Sequence, residues 1–188
     1  MARTFTAESS GTNLTSNFYL QNFYRMNRSA AKVSTRKDYN QTELSYEDSR
    51  ALKKAAAKLS SFDYSEEENS DNILSTIQAF VDTYNFTIES SNNPDSETYR
   101  QNRQLKALSE KYSDELKDLG ITIEENGSLK LSQNILEKSS FDEVKKVFSN
   151  DSDYVSRIRS IARRMHATSY EEVYAQMTGA GGKLSILL

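Results

Sequence analysis

His166 is the one histidine of the chain, standing in Arg163-Arg164-Met165-His166, and a general base would be sought there first. A base needs a nucleophile or a substrate proton within reach, and the sequence marks no partner for it. The neighbouring arginines disfavour the charged imidazole. There is no Cys, which removes thiolate nucleophiles, thiolate metal sites and disulfides. No GxSxG turn, phosphate-cradling glycine loop or zinc-ligand spacing is present. Glu66, Glu67 and Glu68 form a carboxylate run but lack the alternating ligands of a calcium loop; their place ahead of a helix suits the positive end of its dipole. No catalytic, cofactor-binding or metal-binding residue is expected, and the chain reads as non-enzymatic.

Two groups of residues could serve binding. Phe18, Tyr19, Phe23 and Tyr24 precede a basic run with Arg25, Arg28, Lys32, Arg36 and Lys37. Aromatics interleaved with cations can stack and clamp a single-stranded nucleic acid; they also suit packing onto a helical body, and no RNP-like pattern accompanies them. Near the other end, Arg157, Arg159, Arg163 and Arg164 surround the apolar stripe Val155, Ile158, Ala162, Met165. A basic amphipathic helix can meet a nucleic acid or an anionic membrane, or simply present a solvated face to an acidic neighbour.

The elements that would position these groups are helices. Leu52, Ala55, Leu59 and Phe62 repeat at three- and four-residue steps, which predicts a helix over 45–62 with a narrow pairing seam. Ile73, Ile77, Phe80, Val81, Tyr84 and Ile88 predict a second helix over 71–90 with a wide buried stripe. Asn-Asn-Pro94-Asp95 breaks the chain, and Asp95 or Ser96 is expected to cap a third helix reaching Leu119, with Leu105, Leu108, Tyr112, Leu116 and Leu119 inward. The short connection implies that the second and third helices pair antiparallel.

Residues 120–148 are the best-specified stretch. Gly120 suits the position just past a helix end. Ile121 and Ile123, then Leu129 and Leu131, alternate at strand period around Asn126-Gly127, a pair that tolerates positive φ in a tight turn. A hairpin over 121–131 follows. Ser132 is expected to cap a short helix through Ile135 and Leu136, and Ser140-x-x-Glu143 is a capping box ahead of Val144, Val147 and Phe148. Ser169-x-x-Glu172 is expected to cap a last short helix through Val173, Tyr174 and Met177. Gly179-Ala-Gly-Gly182 then leads to the apolar tail Leu184, Ile186, Leu187, Leu188.

The 188 residues contain 36% hydrophobic side chains at a mean hydropathy of −0.74, a balance that favours elongated helical packing with much surface per residue. The net charge of −3 conceals segregation: residues 1–62 hold ten Lys/Arg against five Asp/Glu, residues 63–125 five against fifteen, and residues 126–188 nine against seven. Such polarity favours ordered contact between like chains, and equally describes a solvated surface with a basic helix over an acidic neighbour. No run approaches a membrane helix in length, and residues 1–17 lack the apolar core of a secretory signal.

The helix ending in Leu116, Leu119, Gly120 and Ile121, followed by Ile123, Gly127, Leu129 and Leu131 and then Val144 and Phe148, resembles the C-terminal half of flagellar filament-capping proteins (hook-associated protein 2, FliD type). Upstream, Ile77, Phe80, Val81, Tyr84 and Asn85 resemble the helix that precedes this unit in the same family. The resemblance covers roughly residues 70–165. It implies a structural protein of the bacterial flagellum, exported with a chaperone, that self-associates and contacts flagellin-like or hook-associated subunits; family members are longer and end in a long helix. It singles out Phe80, Val81, Tyr84, Asn85, Gly120, Ile121, Asn126, Gly127, Leu129 and Phe148 as its structural motif. Phe18, Tyr19, Phe23, Tyr24, Leu184, Ile186, Leu187 and Leu188 are the candidate interface. The fold expected is mainly α: an elongated, coiled-coil-like antiparallel bundle with one short hairpin. It is laid out as an N-terminal arm (1–40), a helical domain (41–168) and a short helix with a glycine-rich apolar tail (169–188). A cytoplasmic adaptor or nucleic-acid-binding module built on the 157–164 helix is the alternative.

Overall fold

The computed structural model describes residues 36–64 and 70–178 of the chain. Helix α1, Gln41–Ser60, begins ahead of the expected Ser45 because Asn40 closes a capping box. The Asn40 side chain accepts from the Thr42 and Glu43 amides at 3.0 Å, and the Glu43 carboxylate accepts from the Asn40 N–H at 2.9 Å. That first turn is held by its cap rather than by burial, so apolar spacing does not reveal it. Helix α2, Ser70–Ser90, buries the whole predicted stripe from Ile73 to Ile88.

The third helix is divided. Helix α3 runs Tyr99–Lys111 and α4 runs Ser113–Asp118, with the backbone leaving helical geometry at Tyr112 (φ −106°, ψ 22°). The Tyr112 ring lies 5.3 Å from that of Tyr154, while Leu105 before the break and Leu116 and Leu119 after it are all buried. Neither Asp95 nor Ser96 caps α3. Thr98 holds the cap position without a side-chain cap bond, its hydroxyl being engaged with those of Ser96 at 2.8 Å and Ser45 at 3.2 Å.

Strands β1, Ile121–Ile123, and β2, Leu129–Leu131, pair antiparallel with Ile121 opposite Leu131 and Ile123 opposite Leu129. Helix α5, Gln133–Leu136, follows; Ser132 stands at its cap position, but its side chain makes no cap bond. Helix α6, Phe141–Phe148, opens with the expected capping box: the Ser140 N–H donates to Glu143 at 2.7 Å and the Glu143 N–H to the Ser140 hydroxyl at 3.2 Å.

Helix α7 runs unbroken from Asp153 to Thr178. Ser169 therefore starts no new helix. It is fully buried within α7, and its hydroxyl meets that of Ser45 at 3.0 Å. A serine followed at three residues by glutamate is a cap only where the preceding turn is not already helical.

Helix α1 is the spine, packed on α7 along one side and α2 along the other. Contacts at Asn40–Gln176, Ser45–Ser169 and Tyr46–His166 show α1 and α7 antiparallel. The α1 surface is built from Ala51, Ala55, Ala56, Ser45 and Ser49, all buried, and small side chains let helices approach closely. Helices α2 and α3 also run antiparallel, linked through Asn102 to the Ile88 carbonyl (2.8 Å) and through Ser109 to Tyr84 (3.0 Å). They are not the principal pair, because the large side chains of Tyr84 and Tyr154 lie fully buried beside them, meeting at the Ser109 hydroxyl. Mainly α with one short hairpin is thus the observed fold among the described residues.

Candidate functional site

The motif residues converge on one flank. Asn85, on α2, extends its amide along the free edge of β2: it donates to the Leu129 carbonyl at 2.8 Å and accepts from the Leu129 N–H at 2.7 Å. One side chain thereby replaces a neighbouring strand, and a sheet edge left open would invite pairing with another chain. Ile121 and Leu129 are buried in the core that holds Phe80, Val81, Tyr84 and Phe148, with the Phe80 and Phe148 rings edge-to-face at 5.5 Å.

The hairpin turn differs from the expected two-residue form. Gly127 is left-handed (φ 84°), but Asn126 keeps a negative φ. Gly127 N–H donates to the Glu124 carbonyl and Glu124 N–H to the Ser128 carbonyl, both at 2.8 Å, which is the three-residue connection with glycine last. Asn126 acts through its side chain, whose oxygen accepts from the Ser128 N–H at 2.9 Å. Gly120 is also left-handed (φ 74°), as a helix end requires.

A second arrangement lies on the α1–α7 seam. Tyr46 stacks on His166 with centroids 4.6 Å apart, meets Tyr170 at 6.1 Å, and Tyr170 stacks on Tyr174 at 6.3 Å. Tyr170 and Tyr174 are 53% and 45% exposed. Large aromatics left half in water on a helix mark a surface that another molecule can cover. The i, i+4, i+8 spacing of His166, Tyr170 and Tyr174 was visible in the sequence as a stripe. That Tyr46 joins it depends on the pairing of α1 with α7, which no local pattern shows.

His166 is the half-buried end of this stripe. Burial holds its imidazole below the usual histidine range, and the cations of Lys53 and Arg50 across the seam add to this; its own helix neighbours are not the main cause. The ring Nε2 is buried without a hydrogen-bond partner. A neutral ring stacked on tyrosine is what this setting supports.

At the end of the seam, Gln176 bonds both Asn40 and Thr42 at 3.2 Å. The start of α1 and the end of α7 are thereby clasped together. The Arg36 guanidinium bonds the fully buried Asp48 carboxylate (Nη2 to Oδ2, 3.1 Å) and lies 4.2 Å from the Phe86 ring centre. Burial raises the Asp48 pKa and Arg36 opposes that rise. Arg36 is therefore bolted to the bundle, although sequence placed it in the arm.

Phe18, Tyr19, Phe23, Tyr24, Leu184, Ile186, Leu187 and Leu188 lie outside the described residues, as does the Glu66–Glu68 run. Among the described residues, no group of three His, Cys, Asp or Glu could hold a metal ion. Among the described residues, no helix is long and apolar enough to cross a membrane. Comparison with known protein families, with characterised proteins and with solved structures finds no match to this chain.

Proposed function

We propose that this chain is a non-enzymatic assembly protein that works through protein–protein contact, with copies of itself and with flagellin-like subunits. The observation that carries the reading is the clasp of Gln176 on Asn40 and Thr42. It holds the start of α1 and the end of α7 at one end of the bundle, and the half-exposed Tyr170–Tyr174 stack runs toward that end. Apolar segments at residues 18–24 and 184–188 and a surface aromatic stripe then act on the same partner. Burying each such side chain is worth roughly 1.5–3 kcal/mol, enough together to sustain an interface after the cost of association. The flagellin-like partner comes from the resemblance of the Phe80–Asn85 and Gly120–Phe148 segments and rests on it alone.

Sedimentation of the full chain and of a chain ending at Gly179, each with and without flagellin, tests the proposal. Concentration-dependent oligomers weakened by the truncation are expected. A monomer at high micromolar concentration that ignores flagellin would remove the assembly reading.

A second reading has its own observation. The cations Arg50, Lys53 and Lys54 face the His166 side of the seam, beside stacked tyrosines, which is the combination that holds single-stranded nucleic acid. Binding of an oligonucleotide that falls steeply with salt would favour it over assembly.

A further inference from the structure

Residues 50–60 of α1 hold Arg50, Lys53, Lys54 and Lys58, and residues 155–168 of α7 hold Arg157, Arg159, Arg163 and Arg164, with no Asp or Glu in either stretch. Because the two helices are antiparallel with Tyr46 against His166, these stretches lie alongside each other, and half of the seam is basic throughout. Arg157 pairs with Asp153, and Arg50 with Glu47. Lys53, Arg159 and Arg163 hold no ion pair among the described residues.

The opposite charge lies on the flank made by the end of α3, α4 and the hairpin. Residues 110–125 contain Glu110, Asp114, Glu115, Asp118, Glu124 and Glu125 against Lys111 and Lys117. All six carboxylates are exposed or half-exposed and none pairs with a cation among the described residues. Each face also presents an apolar anchor. Tyr170 and Tyr174 continue the seam, and Ile135, 48% exposed, stands at the base of the hairpin beside Gly120. An apolar anchor within a charged rim is the composition of a recognition surface.

We infer that the basic α1–α7 seam of one copy docks on the acidic α4–hairpin flank of the next. This inference rests on the self-association part of the proposed function and names its surface. The two patches are different, so the contact is heterologous, and it propagates copy to copy until a rotation closes it into a ring. A polyanion would meet the same cations. The second copy is favoured because it offers a matched acidic face with its own apolar anchor, whereas the chain's net charge of −3 and that acidic flank repel an extended polyanion.

The test uses three full-length chains in sedimentation at low and high salt. One is wild type, one carries Lys53→Glu, Arg159→Glu and Arg163→Glu, and one carries Glu110→Lys, Asp114→Lys and Asp118→Lys. The wild type is expected to associate at about 0.01 M salt and to weaken by tenfold or more at about 1 M, where the screening length falls from about 30 Å to about 3 Å. Each variant alone is expected to be monomeric. Mixed in equal amounts they should associate again in alternation, because the native seam of the flank variant meets the native flank of the seam variant, and the two reversed surfaces are likewise opposite in charge. Recovery on mixing also shows that both variants are folded. Variants that associate like the wild type would overturn this interface while leaving self-association standing. A monomeric wild type would overturn both. A wild type that assembles only on added oligonucleotide, with the seam variant losing that response, would assign the cations to nucleic acid instead.

Discussion

At the residue scale, Asn85 holds the hairpin to the bundle with a donor and an acceptor on the same backbone residue, Leu129, which is 3% exposed. Asn85→Ala leaves a buried N–H and C=O without partners, a loss of roughly 1–3 kcal/mol for each. Urea unfolding followed by circular dichroism should show it, and a midpoint equal to the wild type would mean that water replaces the side chain. The two left-handed glycines separate by what stands nearby. A Cβ on Gly120 would meet Ile135 Cβ at 2.7 Å and the Ser132 carbonyl at 2.9 Å, both tied to backbone, whereas one on Gly127 would meet the flexible stem of Lys106 at 2.6 Å. Both substitutions strain φ at about 1–3 kcal/mol. Gly127→Val is expected within that range and Gly120→Val beyond it, and the reverse order of melting temperatures would refute the assignment. His166 supplies a pH test. Its folded pKa lies below the ordinary value of 6.5, so below that pH the unfolded chain takes up a proton that the folded one resists. Stability is fully present above about pH 6.5 and declines as the pH falls toward the folded value. His166→Phe keeps a ring on Tyr46 and should remove this component of the decline; identical pH profiles for the two chains would show that His166 does not carry it.

At the element scale, what could be read and what could not divide by the kind of force involved. The stripes of α2, of α3–α4 and of α7 were legible because burial of Ile77, Phe80, Leu105, Leu116, Ile158 and Met165 imposes a helical period on the sequence itself. The capping box at Ser140 was legible because its partners are three residues apart. The partner helix of each stripe was not, because α1 offers Ala55, Ala56 and Ser45, which carry little periodic signal yet allow the closest packing. Nor was the hydroxyl at the centre: Ser109 bonds the phenols of both Tyr84 and Tyr154 at 3.0 Å, three buried groups on three elements. Burial pushes both phenol pKa values up, so they stay neutral, with Ser109 donating to the Tyr84 hydroxyl and accepting from that of Tyr154. Ser109→Ala would leave those two phenols without the partner that joins them. A destabilisation of roughly 2–6 kcal/mol follows from about 1–3 kcal/mol for each of the two unsatisfied groups, more than the loss of a single ordinary hydrogen bond. A shift under about 1 kcal/mol by urea titration, the net worth of one such bond, would show that the phenols find other partners.

At the scale of the whole molecule, the boundary expected between arm and bundle meets an interaction that crosses it. The helical domain is expected from residue 41, but the bundle already engages a residue before that, through an interaction of another type. Asp48 lies on α1 with its side chain at 0% exposure, and its cation, Arg36, at 12%, approaches from before the helix and touches Phe86 on α2. No periodicity announces a pair twelve residues apart in sequence, so the arm expected over 1–40 and the bundle share a residue that neither composition nor spacing assigns. The energetics give a test with opposite signs. A buried ion pair is weak evidence of stability in itself, since desolvation offsets the attraction, but removing one partner strands the other and costs roughly 3–5 kcal/mol. Arg36→Ala, or a chain beginning at Asn40, should therefore be destabilised by about that amount relative to a chain beginning at Arg36. Arg36→Met combined with Asp48→Leu should lie much closer to the parent than Arg36→Ala does, because no charge remains buried. A complete urea cycle of the four chains decides between the boundaries. If Arg36→Ala alone unfolds at the parent midpoint, Asp48 finds its counter-charge elsewhere and the bundle begins at its capping box on Asn40.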